Sequence, residues 1–254
     1  MSQPFSIYLN SFDGSTLLYA RADSGWLQGK SVIGPDLTNV GATPQDDGYR
    51  FVAAEQDRMT ASLPAQDARS ALTLEAWVGD VKMAAGENYT LVSFVGPNTA
   101  GGANGMFWVL RRHATTPASS SIRAGITIDG TLLNATWAGT VVDTLLTSCP
   151  LLYVAGVRDG TTARVFVKTP TDGAAILRRS QTVAATDWPA GTWTLNVGMR
   201  AVGIWHLSGV LDEVRLSSVA RYAADFPIAR FQDGRRAVVR GPEMRAGLTA
   251  GVIQ

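Results

Sequence analysis

A chain of 254 residues, 46% hydrophobic and 17% charged, is long enough to bury a full core, which excludes wholesale disorder. Its formal net charge of +1 excludes a global electrostatic attraction to nucleic acid or to an anionic membrane. The single cysteine, Cys149, excludes an internal disulfide. The first residues lack the pattern of a signal peptide and no apolar run reaches membrane-spanning length, so we expect a protein made in a reducing compartment.

Turn-forming residues divide the sequence into short segments with the apolar pattern of β-strands. In chain order, strands are predicted at residues 6–9, 17–22, 31–33, 48–53, 58–63, 72–78, 90–95, 105–111, 122–128, 131–137, 153–158, 163–168, 192–198 and 209–216. Asp129-Gly130 and Asp159-Gly160 have the signature of tight hairpin turns. A helical turn is expected at residues 219–224, but no long amphipathic helix is indicated. Many short strands joined by turns predict an all-β sandwich.

Two segments predict which side chains share a face, because successive residues of a strand point to opposite sides. In residues 72–78 one face carries Leu72, Leu74, Ala76 and Val78. The other face of that strand carries Thr73, Glu75 and Trp77. In residues 209–216 the alternation groups Val210, Asp212, Val214 and Leu216. A carboxylate among aliphatic residues is costly unless it is hydrogen-bonded or bound to a cation, so Asp212 is a candidate functional residue.

Residues 227–254 differ from the rest of the chain, because their apolar residues are scattered and their charge is basic. Five arginines, Arg230, Arg235, Arg236, Arg240 and Arg245, stand against Asp233 and Glu243. We predict a sandwich domain over residues 1–226 and a basic extension over residues 227–254 that docks on a partner surface. The alternative is a disordered terminus.

Several segments follow the order seen in a known family. They are Phe-Asp-Gly at 12–14, Gly-Tyr-Arg-Phe at 48–51, Leu-Thr-Leu-Glu-Ala-Trp-Val at 72–78, Val-Ala-Gly-Val-Arg-Asp-Gly-Thr at 154–161 and Leu-Asn-Val-Gly at 195–198. The segment Gly-Val-Leu-Asp-Glu-Val-Arg-Leu at 209–216 resembles the closing strand of laminin-G-like, concanavalin A-like jelly-roll domains. The following Val-Ala-Arg-Tyr-Ala-Ala-Asp-Phe, at 219–226, resembles the form found in structural proteins of tailed bacteriophages. The resemblance implies a jelly-roll β-sandwich.

The resemblance also implies a structural Ca²⁺ ion, which related sandwiches hold between the N-terminal strand region and the aspartate of the closing strand. The matching positions are Asp212, with backbone oxygens near Asp13 and Gly48. Oxygen atoms are the ligands that Ca²⁺ prefers. The alternative is that Asp212 only accepts backbone hydrogen bonds.

No catalytic residue is predicted. Laminarinase-type hydrolases share this fold and carry Glu-x-Asp-x-x-Glu on one strand, since glycoside hydrolysis needs two carboxylates. The nearest match is Glu-Gln-Asp-Arg-Met-Thr at residues 55–60, where threonine replaces the last acid. Cys149 precedes an apolar strand and is interpreted as a buried structural thiol. His113 and His206 lack the spacing of metal ligands.

Tryptophans near turns are candidates for stacking against sugar rings. Those in or beside predicted turns are Trp26, Trp137, Trp188 and Trp205. The alternative for each is a packing role inside the sandwich.

Two hypotheses of function follow. The first is a non-enzymatic structural protein of a tailed-phage virion, a capsid decoration or tail-associated protein that is assembled in the host bacterial cytoplasm and docks on other virion proteins. Homo-oligomers are expected there, because symmetric particles repeat one contact many times. The second is a carbohydrate- or receptor-binding module on the particle surface. Neither involves nucleic-acid binding or membrane insertion, and Ca²⁺ is the one cofactor implied.

Overall fold

A computed structural model describes residues 16–20, 31–33, 37–45, 48–66, 70–96, 105–128, 131–184, 190–200 and 203–228. Several predictions lie outside these residues. They concern the strand at 6–9, Asp13, Trp26, Trp188 and the tail residues Arg230, Arg235, Arg236, Arg240 and Arg245.

The described strands form two antiparallel sheets, which pack as a sandwich. The larger sheet contains β1 (Thr16–Ala20), β2 (Ser31–Ile33), β4 (Thr43–Gln45), β5 (Gly48–Phe51), β7 (Ala71–Val81), β12 (Cys149–Asp159), β13 (Thr162–Lys168), β14 (Ile176–Thr182) and β16 (Gly209–Ser217). Its main order is β14-β13-β12-β7-β16-β1-β2, and β5 pairs with both β16 and β4. Strand β16 lies in the interior of this sheet, and all of its residues are buried.

The smaller sheet has seven strands. They are β3 (Thr38–Val40), β6 (Arg58–Gln66), β8 (Asn88–Val95), β9 (Gly105–Arg111), β10 (Ser121–Ile128), β11 (Thr131–Ala138) and β15 (Gly191–Val197). Their order is β11-β10-β9-β8-β15-β6-β3. The predicted all-β sandwich is therefore confirmed.

One α-helix, two short 3₁₀ helices and three strands of the described chain were not predicted. The helix α1 (Thr140–Thr147) has two turns and buries only Val142 and Leu146, a pattern too short to recognise in sequence. Strands β3 and β4 have three residues each, and β14 is mostly polar. The helical turn expected at residues 219–224 does not form, since that segment contains bends but no helix. No helix among the described residues is long and apolar enough to cross a membrane.

The main apolar core lies between the sheets. The predicted face of β7 is confirmed, because Leu72, Leu74, Ala76 and Val78 all belong to this core. Trp108 of β9 is fully buried, and its indole N–H donates to the carbonyl oxygen of Leu74 at 3.1 Å. This hydrogen bond satisfies the polar atom of a buried tryptophan and connects the two sheets.

A β-bulge in β16 overturns the predicted orientation of Asp212. The register pairs Asp212 with Trp77 and Arg215 with Glu75, so three residues of β16 span two residues of β7. Glu213, within the bulge, has a φ of 50°. The bulge places Val214 and Leu216 in the core between the sheets but leaves Asp212 opposite Trp77, on the outer face of the larger sheet. The predicted grouping of Asp212 with Val214 and Leu216 was wrong, because it assumed strict alternation along β16.

Residues 218–228, called the strap here, run back across the outer face of the larger sheet after β16. Side chains of the strap pack on a second apolar cluster that includes Trp77, Tyr153 and Phe166. Tyr222 and Phe226 stack on each other with ring centroids 3.5 Å apart. The outer face of the larger sheet is therefore buried where the strap crosses it.

A buried ionic cluster fastens the strap to the sheet. Glu75 is 2% exposed and forms an ion pair with Arg215. The hydroxyls of Tyr153 and Tyr222 both donate to the same Glu75 carboxylate, the second at 2.8 Å. Arg215 also donates to the Tyr222 oxygen at 2.7 Å. Tyr222 therefore joins the strap to two central strands through charge-assisted hydrogen bonds.

Candidate functional site

The two sheets differ in what their outer faces present to a partner. The strap covers a large part of the larger sheet with apolar side chains. The outer face of the smaller sheet, called the polar face here, instead carries hydroxyl, amide and guanidinium groups. Its described side chains include Arg58, Thr60, Ser62, Thr90, Ser93, Arg111, Ser121, Arg123, Thr136, Thr194 and Asn196.

The polar face has an uneven balance of charge. None of the seven strands of the smaller sheet contains an Asp or a Glu within its described bounds. The charged residues of these strands are Arg58, Arg111 and Arg123. By contrast, the larger sheet holds acidic residues in β7, β12 and β16. The polar face therefore attracts anions more than cations.

Arg111 and Arg123 are diagonal neighbours on the polar face. The register pairs Arg111 with Ser121 and Arg123 with Val109, which places both arginines on the same side of β9 and β10. Arg123 donates from Nε to the Ser121 hydroxyl at 2.9 Å. Burial lowers the pKa of the Arg123 guanidinium, and the neighbouring charge of Arg111 lowers it further. Two like charges are thus held together in a half-buried setting.

The connection from β15 to β16 folds over one part of the polar face. Its described residues, 198–200 and 203–208, are called the Trp205 loop. The Ser93 hydroxyl donates to the carbonyl oxygen of Met199 at 3.0 Å, and the Thr90 N–H donates to that of Trp205 at 2.8 Å. These bonds hold the loop on β8 and explain why the polar residues Thr90 and Ser93 are buried on an outer face.

Of the two candidate tryptophans among the described residues, Trp205 is better placed than Trp137 to contact a sugar ring. It is half-buried, and the Arg200 guanidinium lies over its ring at 4.7 Å from the centroid. Its φ of 56° falls in the left-handed region, which a bulky residue rarely adopts. Backbone strain of this kind is concentrated at functional sites.

Trp137 lies elsewhere and is better explained by packing. Its register partner Ile122 faces the core, and the partly buried indole of Trp137 packs against that core. The guanidinium of Arg178, on β14 of the other sheet, lies over the ring at 4.7 Å. The ring is held between core side chains and an arginine, so the structure favours the packing alternative for Trp137.

The predicted Ca²⁺ ligands are only partly brought together. Strands β5 and β16 are antiparallel, and Tyr49 pairs with Leu211. The same register places Gly48, the residue before Tyr49, beside Asp212, the residue after Leu211. A Cβ at Gly48 would lie 2.6 Å from the Leu211 carbonyl oxygen, so glycine permits this close approach. No group of three or more His, Cys, Asp or Glu side chains suited to a metal ion is found among the described residues. Because Ca²⁺ takes six to eight oxygen ligands, Asp212 and Gly48 alone do not form a site.

The hydrolase-like segment does not form a pair of facing carboxylates. Glu55 is exposed in the 3₁₀ helix Ala53–Glu55, whereas Asp57 is buried and accepts a hydrogen bond from the Val52 N–H at 2.8 Å. The two acids precede β6 rather than lying along it. Cys149 is buried, and its burial raises the pKa of the thiol, in agreement with a structural role.

Comparison with known proteins supports the fold and little else. No protein-family model matches the chain, and no curated protein matches it in sequence. Full-length tailspike protein 2 of an Escherichia coli O157:H7 bacteriophage superposes with a TM-score of 0.53 at 16% identity, over 83% of this chain and 27% of the tailspike. This chain therefore has the jelly-roll sandwich fold found in part of that protein.

Two botulinum neurotoxin structures have the same fold. A structure of botulinum neurotoxin type C, whose cell entry depends on interaction with two ganglioside molecules, matches with a TM-score of 0.60 at 8% identity, over 84% of this chain and 50% of the toxin chain. The botulinum neurotoxin serotype D binding domain matches with a TM-score of 0.53 at 10% identity, over 81% and 49% of the two chains. This chain spans half or less of the length of each of these three proteins.

Proposed function

We propose that this chain is a non-enzymatic protein of a tailed-phage virion and that it binds carbohydrate through the polar face and the Trp205 loop. The observation that carries the proposal is the difference between the two outer faces. The strap covers part of the larger sheet, while the smaller sheet offers exposed or half-buried hydroxyl and guanidinium groups and a half-buried tryptophan. Such groups hydrogen-bond sugar hydroxyls, and the aromatic ring adds apolar contact.

Assignment to a virion rests on the closing segment of the chain. The phage-like residues 219–226 lie within the strap, where Tyr222 and Phe226 make its main contacts with the sheet. The resemblance therefore falls on residues with a defined packing role. A phage tailspike with the same sandwich fold is consistent with this assignment.

Absence of catalysis is part of the proposal. The acid-free strands of the smaller sheet and the separation of Glu55 from Asp57 both argue against a glycosidase pair on the polar face. We expect no release of reducing sugar from any glycan that the protein binds.

Carbohydrate binding is tested on an array of neutral and acidic oligosaccharides probed with the full chain. We expect binding by a defined subset, weakened at least fivefold by Trp205→Ala. Trp137→Phe is the matched control, since Trp137 lies at the junction of the sheets. If the array shows no binding, or if Trp205→Ala binds as the wild type does, the proposed site is wrong.

Structural docking is the second candidate function, as a capsid decoration or tail-associated protein that forms homo-oligomers. One observation favours it: Phe226 pairs with Ala175 just before β14, so the described strap ends next to an edge strand of the sandwich. Quantitative mass spectrometry of gradient-purified particles tests this role. A fixed, high ratio to the major capsid protein supports decoration, a few copies per particle support a tail position, and absence from particles contradicts both.

We also propose that Ca²⁺ binds the Asp212 carboxylate together with backbone oxygens near Asp13 and Gly48, with water completing the six to eight oxygen ligands. Saturating Ca²⁺ at about 100 times its Kd should stabilise the fold by about 2.7 kcal/mol, and Asp212→Asn should remove the response. Mg²⁺ serves as the control ion. A melting temperature that does not respond to Ca²⁺ would contradict the site.

A further inference from the structure

The structure assigns Arg111 and Arg123 to an anion-binding subsite on the polar face, and we propose that its ligand is a glycan that carries carboxylate or sulfate groups. This inference rests on the proposed carbohydrate-binding function and specifies the class of sugar.

The charge of the arginine pair is not balanced by neighbouring acids. Neither Arg111 nor Arg123 forms an ion pair with a carboxylate of the described residues, whereas the adjacent Arg112 pairs with Asp143. The Asp143 carboxylate accepts hydrogen bonds at Oδ1 from Arg112 and, at 2.6 Å, from the Ser120 hydroxyl, so the acid nearest in this region serves Arg112. Holding two half-buried guanidinium groups together without a counter-ion costs free energy, which a bound anion would offset.

The arginine pair and the Trp205 loop lie on the same row across the sheet. Thr90, which holds the backbone of Trp205, pairs with Val109, and Val109 in turn pairs with Arg123. Adjacent strands are about 4.8 Å apart, so Arg123 lies about 10 Å from Thr90 along this row. Val109 is only 3% exposed although it faces outward, so a ligand that spans this row would contact the groups that overlie Val109 and not Val109 itself. One oligosaccharide can therefore reach the aromatic loop and the arginines together.

The surroundings favour an acidic glycan over other anions. A nucleic acid is disfavoured because the whole chain has a net charge of only +1, too small for the phosphate contacts that dominate such binding. Accessible hydroxyl groups such as those of Ser62, Thr136 and Thr194 share the polar face with the arginines. Arginine recognises carboxylate and sulfate by paired N–H donors, while the side-chain hydroxyl groups suit the sugar hydroxyls.

The test compares two sugars that differ only in charge. Titration calorimetry of the full chain uses β-1,4-linked hexamannuronate and neutral β-1,4-linked mannohexaose, with sulfated mannohexaose as the sulfate arm. We expect at least one acidic hexamer to bind ten times more tightly than the neutral one. Arg111→Gln with Arg123→Gln should remove this preference. The matched control is Arg164→Gln, because Arg164 lies on β13 of the other sheet and pairs with Asp159. This variant should retain the preference for the acidic hexamer.

A second measurement separates a binding role from a structural one. If Arg111 and Arg123 serve to bind a ligand, Arg111→Gln removes the repulsion between them in the ligand-free protein. The melting temperature of this variant at low salt should therefore equal or exceed that of the wild type. A lower melting temperature would assign Arg111 to the fold and overturn the inference. Equal binding of neutral and acidic hexamers would overturn the anionic subsite and leave carbohydrate binding intact. If neither these hexamers nor the glycan array shows binding, the inference and the proposed function both fail.

Discussion

Individual residues show how a polar group can be both buried and stable in this sandwich. Glu75 is the clearest case, because it faces away from the main core yet is buried beneath the strap. Its carboxylate accepts hydrogen bonds from Arg215, Tyr153 and Tyr222. A buried carboxylate with this many partners is stable only while all of them remain in place.

Replacing Glu75 by glutamine tests this dependence. The substitution keeps the shape of the side chain but leaves the Arg215 charge buried without its partner. We expect the free energy of unfolding to fall by about 3 kcal/mol, measured by urea denaturation. Glu55→Gln, at an exposed position, should change it by less than about 0.5 kcal/mol. A loss below about 1 kcal/mol for Glu75→Gln would show that the cluster is not needed to hold the strap.

Asp172 predicts a pH dependence of stability. Burial raises the pKa of its carboxyl, but hydrogen bonds from the N–H and hydroxyl of Thr169 and the charge of Arg178 outweigh burial and lower the pKa overall. Because the folded state has the lower pKa, the stabilisation is present above the unfolded pKa of about 4 and is lost as the pH falls through the folded pKa.

The wild type should therefore exceed Asp172→Asn in free energy of unfolding by about 1 kcal/mol at pH 7, and the gap should close progressively below about pH 4. Denaturant titrations at a series of pH values measure this gap. Asp159→Asn, with an exposed side chain, is the control. A gap that stays constant down to pH 2 would contradict the assignment.

At the level of elements, the strap decides which outer face is available to a partner. Phe226 of the strap packs edge-on against two aromatic rings of the sheet. The centroid of its ring lies 5.3 Å from that of Phe166 and 6.0 Å from that of Tyr153. Aromatic pairs in this geometry add about 0.5–1.5 kcal/mol beyond the area that they bury. Phe226 is therefore the main apolar anchor of the strap.

Phe226→Ala should release the end of the strap. We expect a loss of about 2 kcal/mol in the free energy of unfolding, below the value for a fully buried phenylalanine because Phe226 is partly exposed. Hydrogen exchange at residues 218–228 should become faster while exchange in β16 stays slow. Val219→Ala, at an exposed strap position, is the control. Unchanged exchange in the strap would show that the ionic cluster alone holds it.

At the level of the whole molecule, the sandwich and the basic extension should be separable. Ile228 still packs against the outer face of the larger sheet, so a truncation that tests the extension should end after this residue. A chain ending at Ile228 keeps every described contact and should melt within about 2 °C of the full chain.

The same truncated chain should fail to enter particles, because it lacks Arg230, Arg235, Arg236, Arg240 and Arg245. Incorporation is measured by mass spectrometry of particles assembled with the truncated or the full chain. A variant with these five arginines changed to glutamine distinguishes a need for charge from a need for length. Normal incorporation of the truncated chain would contradict docking through the extension.

Features of this protein that depend on local pattern could be predicted from its sequence. Alternation along residues 72–78 placed Leu74 and Trp77 on opposite faces correctly, since both faces follow from the geometry of one strand. Turn residues and short apolar segments predicted the all-β sandwich and most of its strands. The absence of acidic residues from the strands of the smaller sheet can also be read from the sequence, once their bounds are known.

Features that depend on the register between distant strands could not be predicted, because they follow from long-range pairing in the folded chain. The bulge that turns Asp212 outward follows from how β16 pairs with β7, more than a hundred residues away in sequence. The pairing of Arg111 with Ser121 brings Arg111 beside Arg123, and the strap determines which outer face remains accessible. Local periodicity carries no information about these contacts, because a shift of one residue in pairing moves a side chain to the other face of its sheet.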